Sequence, residues 1–503
     1  MPKAHLVLDP HATVGPVNRR LFGSFVEHLG RCVYDGIYEP GHPTADANGF
    51  REDVVDLVKE LGVSTIRYPG GNFVSGYRWE DGVGPRSERP RRLDLAWHST
   101  ESNQVGLDEF AIWLDNVGSE LMYAVNMGTR GVQDALDVLE YATIPSGTKL
   151  SDARIANGRK EPYKIDMWCL GNEMDGPWQL GHGTAEEYGR LASKTAKGMR
   201  QVDASLELVV CGSSGSAMPT FGEWERTVLQ HTYDDVDFIS CHAYYEEKDG
   251  DLDSFLASAV NMDHFIETVV AIADEVKEER GSDKTINISF DEWNVWYMLR
   301  HISNDKLRDP HDWPEAPRLL EDVYSVADGV VFGSLLISLI RHADRVTSAS
   351  LAQLVNVIAP IMTEPNGPAW RQTTFFPFAE TSRLAKGDAL TLNLSSDTYE
   401  TAEFGTVNLV DAVATHDAQE GESAVFLVNR SREESTVVTI DTSALTTHRV
   451  TGARTLSDPE VYAANTLANP DRVGLVANES ATEADGVVTI TLPPVSWTVL
   501  TLA

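Results

Sequence analysis

Basic residues are scarce in this chain: 41 Lys and Arg stand against 76 Asp and Glu over 503 residues, a formal net charge of -35 with a pI near 4.7. Such a field repels phosphate backbones and anionic lipid, so neither nucleic acid nor a membrane surface is an expected partner. It says little about a neutral substrate. Cysteine is sparse as well. Cys32, Cys169, Cys211 and Cys241 show no metal-like CxxC spacing, and three of them lie in apolar strand-like runs, where cysteine acts as a small hydrophobe. The most apolar window, Val330 to Ile340, is far short of the roughly 20 residues that cross a bilayer, and it reads as a buried helix. The start, Met1-Pro-Lys-Ala-His, has neither the apolar core nor the cleavage site of a signal peptide. A reduced cytoplasmic protein is the expectation.

Phosphate-binding signatures are missing too. No GxGxxG or GxxxxGK[ST] follows any predicted strand. His28, His98, His182 and His242 fall into no HExxH or i, i+4 arrangement, so no metal site is expected.

What the chain does have is alternation. Short apolar runs ending near Glu27, Asn72, Asn126, Glu173, Gly212, Tyr244, Glu292 and Leu351 are separated by helical patterns such as Phe50–Gly62, Ala185–Val202 and Asp263–Glu279. A doubly wound open sheet would alternate in the same way. The missing phosphate cradle, and polar residues at the C-terminal ends of many different strands, favour a (β/α)8 TIM barrel. After Phe378 the texture becomes β-branched with period 2, as in Ser423–Asn429 and Ser435–Ile440. The expected organisation is an α/β chain with a catalytic barrel over residues 18–380. Residues 381–503 then form an all-β sandwich or jelly roll, completed by a single N-terminal strand from residues 1–17.

The barrel brings its strand ends to one rim, so residues far apart in sequence become neighbours. Two glutamates stand out there, Glu173 after the fourth strand and Glu292 after the seventh. A carboxylate pair across a cleft is the minimum equipment for cleaving a glycosidic bond. Glu173 follows an apolar run, and burial disfavours the charged form of a carboxylate, which suits a general acid. Asn172 is placed to hold a sugar hydroxyl, while His242 and Tyr244 are placed to hydrogen-bond Glu292. Trp97, Trp178 and Trp296 are candidates for stacking on a sugar face. Blander roles stay open at this level: Arg67 as a structural ion pair with Glu27, His242 as a satisfied buried histidine, the tryptophans as core.

Trp168-Cys-Leu-Gly-Asn-Glu-Met-Asp-Gly-Pro-Trp178 with Phe290-Asp-Glu-Trp-Asn-Val-Trp296 resembles glycoside hydrolase family 51, the α-L-arabinofuranosidases. Gly23–Gly30, Ile66–Asn72 and His242-Ala-Tyr244 agree with the same family. The resemblance implies a retaining exo-enzyme acting on arabinan, arabinoxylan or their oligosaccharides, with Glu173 as acid/base and Glu292 as nucleophile. It also implies a furanose pocket of Glu27, Arg67, Asn72, Asn172, Tyr244 and Gln353, with His242 as partner of the nucleophile. No cofactor and a homo-oligomer, often a hexamer, belong to the same expectation. A β-xylosidase or endo-glucanase on the same barrel, and a catalytically silent sugar-binding protein, are the competing readings.

Overall fold

Val63 to Tyr68 shows how the barrel is assembled. The preceding helix, Glu52–Leu61, buries Val54, Val55, Leu57, Val58 and Leu61 on one face. It stops at Gly62, whose φ of +78° places it in the left-handed region, where a Cβ is costly. The chain then turns directly into the strand Thr65–Tyr68, buried at every position as an interior parallel strand should be. The computed structural model describes residues 1–304, 309, 311–446 and 449–503.

The same step recurs around the barrel. Its strands are Gly23–Phe25, Thr65–Tyr68, Glu120–Ala124, Met167–Leu170, Glu207–Val210, Phe238–Tyr245, Asn287–Val295 and Val346–Leu351. They pair in parallel in chain order, and the eighth returns to the first to close the ring. All eight correspond to predicted runs. The helix Ala185–Val202 begins where Thr184 and Glu187 form a reciprocal capping box.

The seventh strand is irregular in a way that matters. Ser240 of the sixth strand pairs with Ser289, but His242 pairs with Glu292, so the seventh strand carries an extra residue there. The same extra residue appears against the eighth strand, between the pairs Phe290–Ala349 and Trp293–Leu351. A bulge breaks the strict alternation of faces and re-aims side chains. Here it lets the consecutive carboxylates Asp291 and Glu292 both turn toward the site.

The β-rich part has two large sheets, besides the small hairpin of Thr398–Thr401 with Gly405–Asn408. One has the strand order Asn393–Ser396, Lys3–Val7, Thr436–Asp441, Val487–Leu492, Thr482–Ala484. The other is a seven-stranded sheet that includes Thr13–Pro16 and Ser496–Leu502. Leu6, Val438 and Ile490 of the first meet Val410, Val425 and Leu500 of the second in a shared core. The expectation of one N-terminal strand is therefore corrected. Asp9-Pro10 breaks the run, and the two halves, Lys3–Val7 and Thr13–Pro16, join different sheets. The apolar helix Val326–Arg341 is buried almost to its end because it is packed from both sides, by barrel elements and by strands of the β-rich part.

Candidate active site

The rim of the barrel holds a cavity of about 620 Å³ whose walls include Glu27, Asn72, Glu173, Tyr244, Glu292 and Gln353. Glu173 sits just past the fourth strand with φ at +43°, a strained backbone setting for a residue with a Cβ. Its surroundings differ from the apolar slot expected of it. Oε1 lies 2.9 Å from His242 Nδ1, and Oε2 accepts a hydrogen bond of 2.8 Å from Trp178 Nε1. Trp178 thus binds the carboxylate directly, while its ring remains half exposed beside the cavity.

Glu292 is held from two sides. Arg67 Nη1 donates to Oε1 at 2.8 Å, and the Tyr244 hydroxyl donates to Oε2 at 2.7 Å. Burial raises its pKa, with the neighbouring Glu173 adding to the rise and His242 and Arg67 opposing it. Arg67 does not pair with Glu27. It reaches Glu292 and, through Nη2, Asn172 Oδ1 at 2.7 Å, while Nε lies 3.7 Å from Asp291. Asn172 Nδ2 then donates to Asn72 Oδ1 at 3.2 Å, which fixes both amides. Burial opposes a charge on Arg67, yet Asp291 and Glu292 hold it firmly cationic. Removing one partner of such a buried pair costs about 3–5 kcal/mol. Arg67→Ala is therefore expected to lower the urea midpoint of unfolding by a matching amount, and an unchanged midpoint would refute this role.

His242 departs most from its expected role. Its Nδ1 is 2.9 Å from Glu173 but 3.6 Å from Glu292, and Nε2 is 2.8 Å from Asp291 Oδ1. It bridges the acid candidate and Asp291 before it serves the nucleophile candidate. Burial alone would lower its pKa, but Glu292, Asp291 and Glu173 together push it up to about 10.

Glu27 closes another wall. Oε1 accepts from the Phe73 amide at 2.8 Å and Trp97 Nε1 at 2.7 Å, and Oε2 accepts from Gln353 Nε2 at 3.1 Å. Burial lifts its pKa well above the usual carboxylate range. The loop passing over it must be glycine: a Cβ on Gly71, whose φ is +69°, would lie 2.2 Å from that carboxyl group. Trp296 lines the cavity and meets Tyr244 edge-on, with centroids 5.0 Å apart.

Other strand-end candidates point elsewhere. Asn126 binds Tyr77 O and Thr129, Asn356 binds Arg31 O and Thr363, and His28 lies against Glu101 and Tyr68. Sequence reasoning missed Ser214, Leu319 and Ile358 as cavity walls, since a serine after a strand and apolar loop residues carry no chemical signature. Among the described residues, Glu173, His242 and Glu292 offer the one group of three ligand-type atoms within 4.8 Å of one another. Those groups are already engaged with each other and with Arg67, Tyr244 and Trp178, an arrangement for moving protons.

Comparison with known proteins identifies the family. The family profile described as "Alpha-L-arabinofuranosidase 1 domain" matches residues 57–261, and "Alpha-L-arabinofuranosidase C-terminal domain" matches residues 291–496. An intracellular exo-α-(1→5)-L-arabinofuranosidase of Streptomyces lividans is 60% identical, over 99% of this chain and 75% of its own length. An exo-α-(1→6)-L-arabinofuranosidase of Bifidobacterium longum is also 60% identical, over 99% of this chain and 97% of its own. The solved structure of a family 51 α-L-arabinofuranosidase from Bifidobacterium longum superposes with a TM-score of 0.96 at 51% identity, covering 100% of both chains. With family profiles, sequence relatives and fold in agreement, the chain belongs to the α-L-arabinofuranosidases of glycoside hydrolase family 51.

Proposed function

We propose that this glycoside hydrolase is a retaining, exo-acting α-L-arabinofuranosidase that removes terminal non-reducing arabinofuranosyl groups from arabinan, arabinoxylan or their oligosaccharides. The carboxylate pair supports retention: oxygens of Glu173 and Glu292 approach within 4.8 Å. Retaining enzymes hold the two groups about 5–5.5 Å apart, whereas inverting ones leave about 6.5–9.5 Å for a water between them. The cavity, walled by Glu27 with its three donors, suits a chain end.

In this mechanism Glu292 attacks the anomeric carbon while Glu173 protonates the departing oxygen. Arg67 and Tyr244 orient the attacking carboxylate and hold it anionic. Glu173, now deprotonated, takes a proton from the incoming water, which releases arabinose and restores Glu292. The Asn172–Asn72 pair lies beside Arg67 and is suited to the sugar hydroxyl next to the reacting carbon.

The relatives differ in the linkage their names give, (1→5) or (1→6), and both belong in the substrate panel. Action inside the cell and assembly as a homo-oligomer, a hexamer by family resemblance, are part of the same proposal. So is the division into a catalytic barrel, residues 18–380, and a β-sandwich of residues 1–17 with 381–503. NMR of the first-formed sugar tests the stereochemistry: the α-anomer is expected, and initial release of the β-anomer would refute retention.

A further inference from the structure

We propose that Asp291 is a positioning residue for proton transfer: acting through His242, it anchors the catalytic proton in the bond between His242 Nδ1 and Glu173 Oε1. The proposal rests on Glu173 being the acid/base.

Counting protons leads to it. Both imidazole nitrogens face carboxylate oxygens, Nδ1 at 2.9 Å from Glu173 and Nε2 at 2.8 Å from Asp291. Two lone pairs cannot face each other at such distances, so each contact contains a proton. Asp291 is fully buried, with Arg67 Nε 3.7 Å and Cys169 Sγ 3.8 Å from its other oxygen. Beside that guanidinium it is the acceptor, and Nε2 keeps its hydrogen. The second proton is then shared between Nδ1 and Oε1. It is the one the leaving group takes: Nδ1 releases it to Oε1, the glycosidic oxygen accepts it as the bond to the anomeric carbon breaks, and the imidazole is left neutral. Water returns a proton to the pair in the second step.

Several other groups also face this pair: Glu292 and Asp291 from the seventh strand, Arg67 from the second, Tyr244 from the sixth, and Asp175 and Cys169 from the fourth strand and its loop. Asp291 is distinctive among the carboxylates in bonding the imidazole edge turned away from Glu173. The seventh-strand bulge puts it there. The upward shift of His242 to about 10 agrees with a proton held tightly between these carboxylates.

The sign follows from the charge. Asp291⁻ favours the protonated pair, so neutralising it makes the proton easier to lose and moves the alkaline limb of kcat/KM to lower pH. A neighbouring opposite charge shifts a pKa by about 1–3 units. Asp291→Asn should therefore move that limb down by about 1–3 pH units, and Asp291→Glu, which keeps the charge, should hold it in place even where kcat falls. An unmoved limb in Asp291→Asn, or equal shifts in both variants, would overturn the proposal and leave Asp291 a packing role. If neither variant folds, wild-type enzyme labelled with 15N-histidine gives the answer, with the His242 signals assigned by their loss in His242→Gln. His242 Nδ1 should titrate together with the alkaline limb while Nε2 stays N–H; loss of the hydrogen from Nε2, or a separate midpoint, would overturn it. Failure of the acid/base reading itself shows differently, as a Glu173→Ala variant insensitive to the leaving group.

Discussion

Glu292→Ala is expected to lower kcat on every arabinofuranoside by on the order of 10⁶, the scale seen when a covalent nucleophile is removed from an enzyme that acts through it. The expectation comes from how the carboxylate is held. It is buried at a strand bulge, with one oxygen on Arg67 at 2.8 Å and the other on Tyr244 at 2.7 Å. Each donor restricts its rotation and aims it, and neither can replace it: Tyr244 is a phenol whose pKa burial and Glu292 push far up, and Arg67 is a cation. Adding azide provides a sharper measurement than the loss alone. A small anion in the vacated space should attack the substrate once and give the β-configured arabinofuranosyl azide, because only one displacement takes place. Residual activity within about a hundredfold of wild type, in a variant with an unchanged melting transition, would move the nucleophile elsewhere.

The parts of this site legible in the sequence were those set by position along a strand. Glu27, Arg67, Glu173, His242, Tyr244, Glu292 and Gln353 all lie at or just beyond a barrel strand, and period and turn chemistry locate those ends. Strand position gives height in the barrel but not direction. Asn126 and Asn356 are at the right height, yet each turns into its own loop to satisfy backbone groups. Partner choice was equally hidden. His242 lies closer to Glu173 than to Glu292 because the extra residue in the seventh strand changes which side chains face inward. The run Ile286-Asn-Ile-Ser-Phe-Asp-Glu-Trp293 does carry one trace of the bulge, since its strict alternation slips at the doubled polar pair Asp291-Glu292, but that slip does not say which partner each carboxylate meets.

The fold shows the same division between local and tertiary information. The strand and helix repeats of the barrel are written locally, and all eight strands form where the apolar runs place them. The N-terminal segment looked like one strand because Lys3 to Val17 alternates weakly throughout, but which sheet a strand joins depends on partners more than 350 residues away. Lys3–Val7 pairs with Asn393–Ser396 and Thr436–Asp441, and Thr13–Pro16 pairs with Asp388–Leu390. The helix Val326–Arg341 was legible as buried from its composition alone, whereas what buries it was not.

Glu173→Ala should separate substrates by their leaving groups. With natural oligosaccharides the departing alkoxide needs its proton, and removing a positioned general acid lowers kcat/KM by about 10²–10⁴. With a dinitrophenyl arabinofuranoside the leaving group departs unaided, so kcat/KM should change little. Its kcat should still fall, because the second step loses its base and the covalent intermediate accumulates; KM then falls with it and a burst of phenol precedes the steady state. Azide should restore turnover and yield the α-configured azide, the opposite product from that of Glu292→Ala, since here it completes a second displacement. The alanine variant also strips His242 Nδ1 of its 2.9 Å partner, leaving Glu292 Oε2 at 3.6 Å as the nearest substitute. A drift of the imidazole toward the nucleophile would weaken Glu292 and slow both substrates together. Glu173→Gln controls for this: its side-chain oxygen still accepts from Nδ1, so His242 stays in place while the transferable proton is gone. If the glutamine variant lowers kcat/KM equally on the activated and the natural substrate, Glu173 is not the acid, and the proton must reach the leaving oxygen by another route.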